Sequence, residues 1–450
     1  MKKALIVFFA VVIACGGLFA GGGGQQGGQA GGSKIVLRAI QQIDTSTPYY
    51  TEDFRQIWDP FLKANPDIGI ELEEGQDAGY HGKIEAYAAA DQLPELLCVF
   101  PAGRSSTLHS RKMLKDLTPL IERDGLRSQF IPWAMDPSEQ LSGYVAMIPR
   151  GLLVTHVFFV NKTVLADCGL QPARTYAEMK AQVPVLRAKG YDCLVMGNQD
   201  TWVCQSCLFS MVAGRFCGEG WEKKIHSGAA KFTDPDFVGA LNFLKQMYDD
   251  GVLNRNVLAT EYGSVPGLFA NNRAAYFIDG DWRANAFATD PTTGVALLSP
   301  QRQSNDIIVQ VFPDIEGAKI NKSTSGQLSM GWSMSAKIPA GSAVEEAAWR
   351  AIKWLASKEV QTVELNLGRI SAPTRNDIDF SSIKVEPIIR DIFSLASKYD
   401  TLTGVIDNVF HADVWTPIND GLAEIGMGSS TPQQVAQRVQ QAFDRWRAAQ

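Results

Sequence analysis

From Lys34 to the C-terminus, strand-length apolar runs alternate with stretches that carry apolar residues at helical spacing, and this alternation restricts the fold more than any other feature. Lys34 to Ile40 has strand character. Thr51 to Ala64 sets Phe54, Ile57, Trp58, Phe61 and Leu62 on one helical face, and Ile68 to Glu74 alternates apolar and polar residues. Gly82 to Ala90 reads as helix, Leu96 to Phe100 as a short buried strand and Ser105 to Lys115 as helix. A second series follows. Val154 to Asn161 is strand, Thr175 and Glu178 form a capping box opening a helix to Lys189, and Asp192 to Met196 is strand. Asp234-Pro235 starts a helix that stops at Gly251, Ala274 to Ile278 and Ile307 to Phe312 add strands, and Thr431-Pro432-Gln-Gln434 caps the terminal helix. There is no internal repeat. The pattern predicts an α/β protein of mostly parallel sheets flanked by helices, and 450 residues suffice for two or three domains.

The first 32 residues carry an address instead of a fold. Met1-Lys2-Lys3 is a positive start, and the apolar run Ala4 to Ala14, about eleven residues, is too short to cross a bilayer. Val12-Ile13-Ala14-Cys15 resembles the lipobox at which Cys15 is lipidated; a cut near Ala20 is the alternative exit. Eight of the 40 Gly lie within Gly21 to Gly32, so the segment from Cys15 to Ser33 reads as a leash with a reach of about 23 Å. Both exits place the chain in the periplasm or at the cell surface, and Cys15 would tie it to a membrane. Without Lys2 and Lys3 the chain has 40 basic against 48 acidic residues, a net charge of −8, which argues against a nucleic-acid partner.

Signatures of catalysis are missing. There is no G-x-S-x-G elbow, H-E-x-x-H, Walker A loop or G-x-G-x-x-G. His81, His109, His156, His226 and His411 show no metal-ligand spacing and read as ordinary surface or core residues, so neither a metal nor a cofactor is expected. Cys204 and Cys207 form a lone C-x-x-C, read as a packed thiol pair, with a bridge among Cys193, Cys204, Cys207 and Cys217 as the alternative outside the cell. Carboxylate pairs stay open, because their separation is not a property of sequence.

A series of modest motifs, in register, resembles the family 1 extracellular solute-binding proteins, the maltose-binding-protein-like receptors of ABC importers. They are Pro94 to Phe100 with Leu114-Lys-Asp-Leu117; Ile148-Pro149-Arg150-Gly151; Phe158-Phe-Val-Asn161-Lys162 with Cys168-Gly169-Leu170; Thr175 to Glu178; Gly197-Asn198-Gln199-Asp200-Thr201-Trp202; Asn271 to Trp282; and Trp349 to Glu359. The resemblance implies a two-lobed periplasmic-binding-protein fold of type II, discontinuous in sequence. One lobe would take residues 33–145 and 318–375, the other 146–317 and 376–450, after the leader and tether of residues 1–32. A ligand would lie in the cleft, enclosed by a hinge motion.

Sugars present C–H faces that pack on aromatic rings and hydroxyls that need charged or amide partners, so a sugar site sets Trp beside Asp, Asn, Gln or Arg. Asp200-Thr-Trp202 and Asp281-Trp282 make that pairing on turns, with Trp202 and Trp282 as stacking platforms and Asp200 and Asp281 as hydroxyl acceptors. Trp415 resembles an aromatic of the family's second lobe, and Trp332 is a further candidate. Gln42, Asp44, Tyr80 and Arg104 are the candidates from the first lobe, whereas Trp349 and Trp354 sit on an amphipathic helix and read as core. Arg150 stands where many members carry an aromatic and would suit an acidic or phosphorylated sugar. These residues predict a carbohydrate receptor without chemistry of its own, delivering to permease subunits. A secreted glycan-active enzyme and a ligand-binding sensor subunit are the alternatives.

Overall fold

The computed structural model describes residues 34–449 apart from 46, 48–51, 53, 139 and 141, so Cys15 and the tether lie outside the described residues. Thirteen strands follow in chain order: β1 Ile35–Gln42, β2 Ile68–Gly75, β3 Leu96–Val99, β4 Met147–Pro149, β5 Gly151–Val154, β6 Val157–Asn161, β7 Asp192–Val195, β8 Ala274–Asp279, β9 Ile307–Gln310, β10 Ser323–Leu328, β11 Gly331–Met334, β12 Ala372–Pro373 and β13 Thr401–Gly404. They form three sheets, ordered β2-β1-β3-β11-β4, β7-β8-β6-β9 and β12-β5-β10-β13.

The first sheet begins as the alternation predicts. β1 runs parallel to β2 from Ile35 opposite Ile68 to Gln42 opposite Gly75, and parallel to β3. β11 and β4 then add antiparallel to it. The second sheet is mixed as well, since β6 is antiparallel to both β8 and β9 and only β7 lies parallel to β8. The expectation of mostly parallel sheets is therefore corrected. β11 enters the first sheet straight from β10 and β4 passes straight on into β5, so at this edge the chain exchanges strands with the third sheet and no helical crossover imposes parallel pairing.

The first sheet builds one core, and the second sheet lies between two others. Leu37, Ile40, Leu96 and Leu97 of the first sheet pack with Trp58 and with Trp349 of the helix Ala343–Leu355. Trp349 is core as its spacing predicts, and half-buried Trp354 donates its indole N–H to the Ile57 carbonyl at 2.7 Å. In the second sheet β6 and β8 are buried along their whole length, which requires cover on both faces. Phe158 stacks on Tyr276 at 5.0 Å in one core and Phe159 on Phe277 at 5.2 Å in the other, because successive strand residues point to opposite faces.

The third sheet connects the two. Val154 to Asn161, which read as one strand, is divided: β5 ends at Val154 in the third sheet and β6 begins at Val157 in the second. The break is fixed by polar contacts. The Thr155 hydroxyl lies 2.6 Å from that of Ser325, the Thr155 N–H donates to the Ser325 carbonyl at 2.9 Å, and Asp281 Oδ2 accepts the Val154 N–H at 2.7 Å.

Asp281 is only 3% exposed, and burial pushes its carboxyl up to about 7. A raised carboxyl makes the folded chain bind a proton that the unfolded chain releases. Its contribution is most favourable below about pH 4 and is lost, at about 1.4 kcal/mol per pH unit, as the pH climbs to 7. Asp281→Asn keeps a carbonyl acceptor for Val154 and cannot ionise. Denaturation at pH 4, 6 and 8 is expected to show the variant gaining on the wild type as pH rises and then levelling off; parallel stability profiles would refute the assignment.

Candidate functional site

Loops leaving strand ends of the first and second sheets meet at one cleft of about 410 Å³. Asp44 and Thr45 follow β1, and Gln76, whose side chain accepts the Thr45 hydroxyl, follows β2. Facing them are Asp200, after β7, and Glu261 and Tyr262, before β8. The volume lies within the range of small-ligand sites.

Local geometry explains how Asp200 and Trp202 separate. Thr201 adopts a left-handed φ of 62°, the Trp202 N–H closes onto the Asp200 carbonyl at 2.8 Å, and the Cys204 N–H is capped by Asn198 Oδ1 at 2.8 Å. Asp200 is thereby left exposed on the cleft while the Trp202 ring turns inward, edge-on to Tyr262 at 4.9 Å.

The other side of the aromatic cluster is built by Asp279 to Arg283. Asp279 is buried and accepts the Gly280 N–H at 2.7 Å and the Tyr262 hydroxyl at 3.2 Å. Burial pushes its carboxyl up, against the pull of Arg283. Arg283 is wholly buried, with its guanidinium 3.7 Å from the Tyr262 ring centre, 3.4 Å from Asp279 and 3.1 Å from Asp44. Trp282 donates its indole N–H to the Tyr262 hydroxyl at 2.6 Å. Its ring lies so close to Gly280 that a Cβ there would sit 2.2 Å from it, so only glycine fits.

Of the residues singled out from sequence, Asp44 and Asp200 line the cleft, and Trp202 and Trp282 meet behind it through Tyr262. Gln42 is half-buried at the end of β1. Arg104 lies over Phe100 at 4.5 Å and Trp202 at 5.6 Å and pairs with Asp407 at 2.7 Å. Trp415 is half-buried against the second core, in the helix Ala412–Met427. Three candidates stand elsewhere. Tyr80 is buried in the first core with its hydroxyl donated to the Cys98 carbonyl, Trp332 is buried edge-on to Trp58 at 5.3 Å, and Asp281 is committed to Val154. Arg150 does not offer a free charge, because Glu364 neutralises it at 3.3 Å. Tyr262, the hub, went unnamed in the sequence reading; an aromatic within Glu261-Tyr-Gly-Ser264 is its only sequence signal.

Cys98, Cys168, Cys193, Cys204, Cys207 and Cys217 are all free thiols. Burial pushes Cys204 up to about 12 and Cys207 up as well, which makes the C-x-x-C a packed pair of protonated thiols. Burial pushes His81 and His109 down to about 4 and His156 to about 3, so all three are neutral at physiological pH. Among the described residues no three His, Cys, Asp or Glu side chains converge as metal ligands, and no helix is long and apolar enough to cross a membrane.

The fold recurs in solved structures. A protein described under xylan utilization by the thermophilic bacterium Caldanaerobius polysaccharolyticus matches with a TM-score of 0.78 at 23% identity, covering 90% of this chain and 99% of that one. A chitin oligosaccharide binding protein matches with a TM-score of 0.76 at 19% identity, covering 92% and 99%. Maltose-bound MalE3 of T. maritima matches with 0.70 at 16% identity, covering 92% and 100%. At these identities the likeness is one of fold, a two-lobed mixed α/β architecture. No curated protein sequence matches the chain. The model of one family, however, matches residues 46–362, which take in strands of all three sheets and both sides of the cleft, and on that match the chain belongs to the bacterial extracellular solute-binding proteins.

Proposed function

We infer that this chain is the substrate-binding component of an ABC importer, capturing a sugar or oligosaccharide between its lobes and presenting it to permease subunits without chemistry of its own. One observation carries the reading: carboxylates from both sides of the cleft, Asp44 and Asp200, open onto one cavity backed by the Trp202, Tyr262 and Trp282 rings. Carboxylates accept hydrogen bonds from sugar hydroxyls, and the rings supply flat apolar surface for C–H faces. The similar folds named for chitin oligosaccharide and maltose binding support this class of ligand. The lobes of this reading are residues 33–145 with 318–375, and 146–317 with 376–450, with the third sheet as hinge. A lipid on Cys15 and the tether would hold the receptor within reach of its permease, at the cell surface or in the periplasm.

Titration calorimetry against a panel of neutral mono- and oligosaccharides tests the reading. Saturable binding with the sugar recovered intact is expected, whereas released product would make the chain an enzyme. Trp282→Ala is expected to weaken that binding by about 1–2 kcal/mol through lost aromatic contact, with a lower melting temperature as well, because the ring also packs on the core and bonds Tyr262. If the variant unfolds readily and keeps its affinity, Trp282 serves the core alone.

A further inference from the structure

Arg104 projects from the turn Ala102–Ser105 that follows β3 of the first sheet, and its partner Asp407 lies in the helix Ile406–Val409, whose Ile406 packs in the second core. Two guanidinium nitrogens converge on Asp407 Oδ2 at 2.7 Å, with side-chain exposures of 18% for Arg104 and 2% for Asp407. Backbones close in beside them. A Cβ at Gly103 would sit 2.1 Å from the Phe410 carbonyl oxygen and 2.5 Å from that of Asp407, so only glycine permits the approach. The same guanidinium lies over the Trp202 ring, on the second lobe's side of the cleft.

A second ion pair, Asp44 with Arg283, spans the cleft. The two differ in what opening would cost. Arg283 keeps Asp279 on its own side, so its buried charge stays compensated when Asp44 departs. Asp407 has no second cation at ion-pair distance among the described residues, and its other oxygen has no hydrogen-bond partner. Parting the lobes there strands a carboxylate held in a nearly dry site, where charge attraction is least screened by salt.

The geometry points to Arg104 as a positioning residue: by pairing with Asp407 across the cleft it clamps the lobes and fixes the Trp202 platform, through contacts made entirely within the protein. This rests on the receptor reading, since a clamp has meaning only if the lobes part to admit a ligand. The clamp makes closure partly intrinsic, and a ligand that binds the closed form gains affinity in proportion to the fraction already closed.

Single-molecule energy transfer tests the clamp without sugar, so a failed sugar panel would sink the receptor reading and leave this measurement interpretable. Dyes go on cysteines introduced by Lys63→Cys and Lys245→Cys, on exposed helices of the two cores. The ligand-free chain is expected to be mainly in the high-transfer, closed state. Asp407→Asn and Arg104→Gln are expected to lower the closed-to-open ratio at least tenfold, Arg104→Lys to restore part of it, and Asp44→Asn to have the smaller effect. Raising salt from 0.05 to 0.5 M should shift the parent chain's closed-to-open ratio far less than Asp407→Asn or Arg104→Gln does, because the pair is shielded from screening ions. Gly103→Ala, which keeps both charges, should open the lobes by steric contact alone. Near-UV circular dichroism melts identify any variant that unfolds. A parent chain that is open without ligand, clamp variants that match it, or Asp44→Asn exceeding Asp407→Asn would each overturn the proposal.

Discussion

A guanidinium with no access to water organises the cleft. Arg283 cannot stay charged in that position without compensation, because an unpaired buried charge costs several kcal/mol even after the surroundings relax. Asp279 and Asp44 supply the charge and the Tyr262 carbonyl accepts at 3.1 Å. The remaining geometry follows from these commitments. Asp279 holds the Gly280 N–H and the Tyr262 hydroxyl, and the same hydroxyl accepts the Trp282 indole N–H. The aromatic surface at the cleft is thus oriented by a chain of polar contacts that begins at one arginine, added to the packing of the rings on one another.

Asp281 and Trp282 are adjacent in sequence and face different tasks. Asp281 holds the amide of Val154, the last residue of β5, while Trp282 belongs to the cleft cluster. Any displacement of Trp282 is therefore felt one residue away at the strand that joins the sheets. The joining sheet is suited to bending. Its strands run two to six residues, and β10 is buried throughout although it reads Ser-Thr-Ser-Gly-Gln-Leu. Short polar strands hold their place by hydrogen bonds such as Thr155 to Ser325 more than by interlocked apolar side chains.

That difference decides how much of the molecule could be read in advance. β1, β2, β6 and β8 announce themselves because their apolar residues reach a core, and the terminal helix because Thr431 and Gln434 form a reciprocal cap. β10 and β13 carry no apolar period, so hydrophobic patterning passes over them. The break at Thr155-His156 is likewise invisible in an apolar run, since it depends on Ser325, far off in the chain. Asp44 and Asp200, which line the cleft, and Trp202 and Trp282, which meet behind it, stand out in sequence because they sit on turns beside strand ends. Tyr80 and Trp332 were misleading for a different reason: an amphipathic ring gives the same signal in sequence whether its polar end meets a ligand or a backbone carbonyl. Tyr262 escaped because its importance lies in the company it keeps in space.

The arginines bear on the ligand. In sequence, Arg150 stands out as a cation that invites an acidic or phosphorylated sugar, and Arg104 is a further cation among the candidates. In the structure each is matched: Arg104 by Asp407, Arg150 by Glu364 and Arg283 by Asp279 and Asp44. Their charge is spent within the protein. The side chains that open onto the cavity are instead Asp44, Asp200 and Glu261, acceptors that suit hydroxyl donors and repel carboxylates and phosphates. The same pairing that neutralises the arginines sets two of them across the cleft, so the acidic lining of the cavity and the cross-cleft ion pairs have a common electrostatic origin.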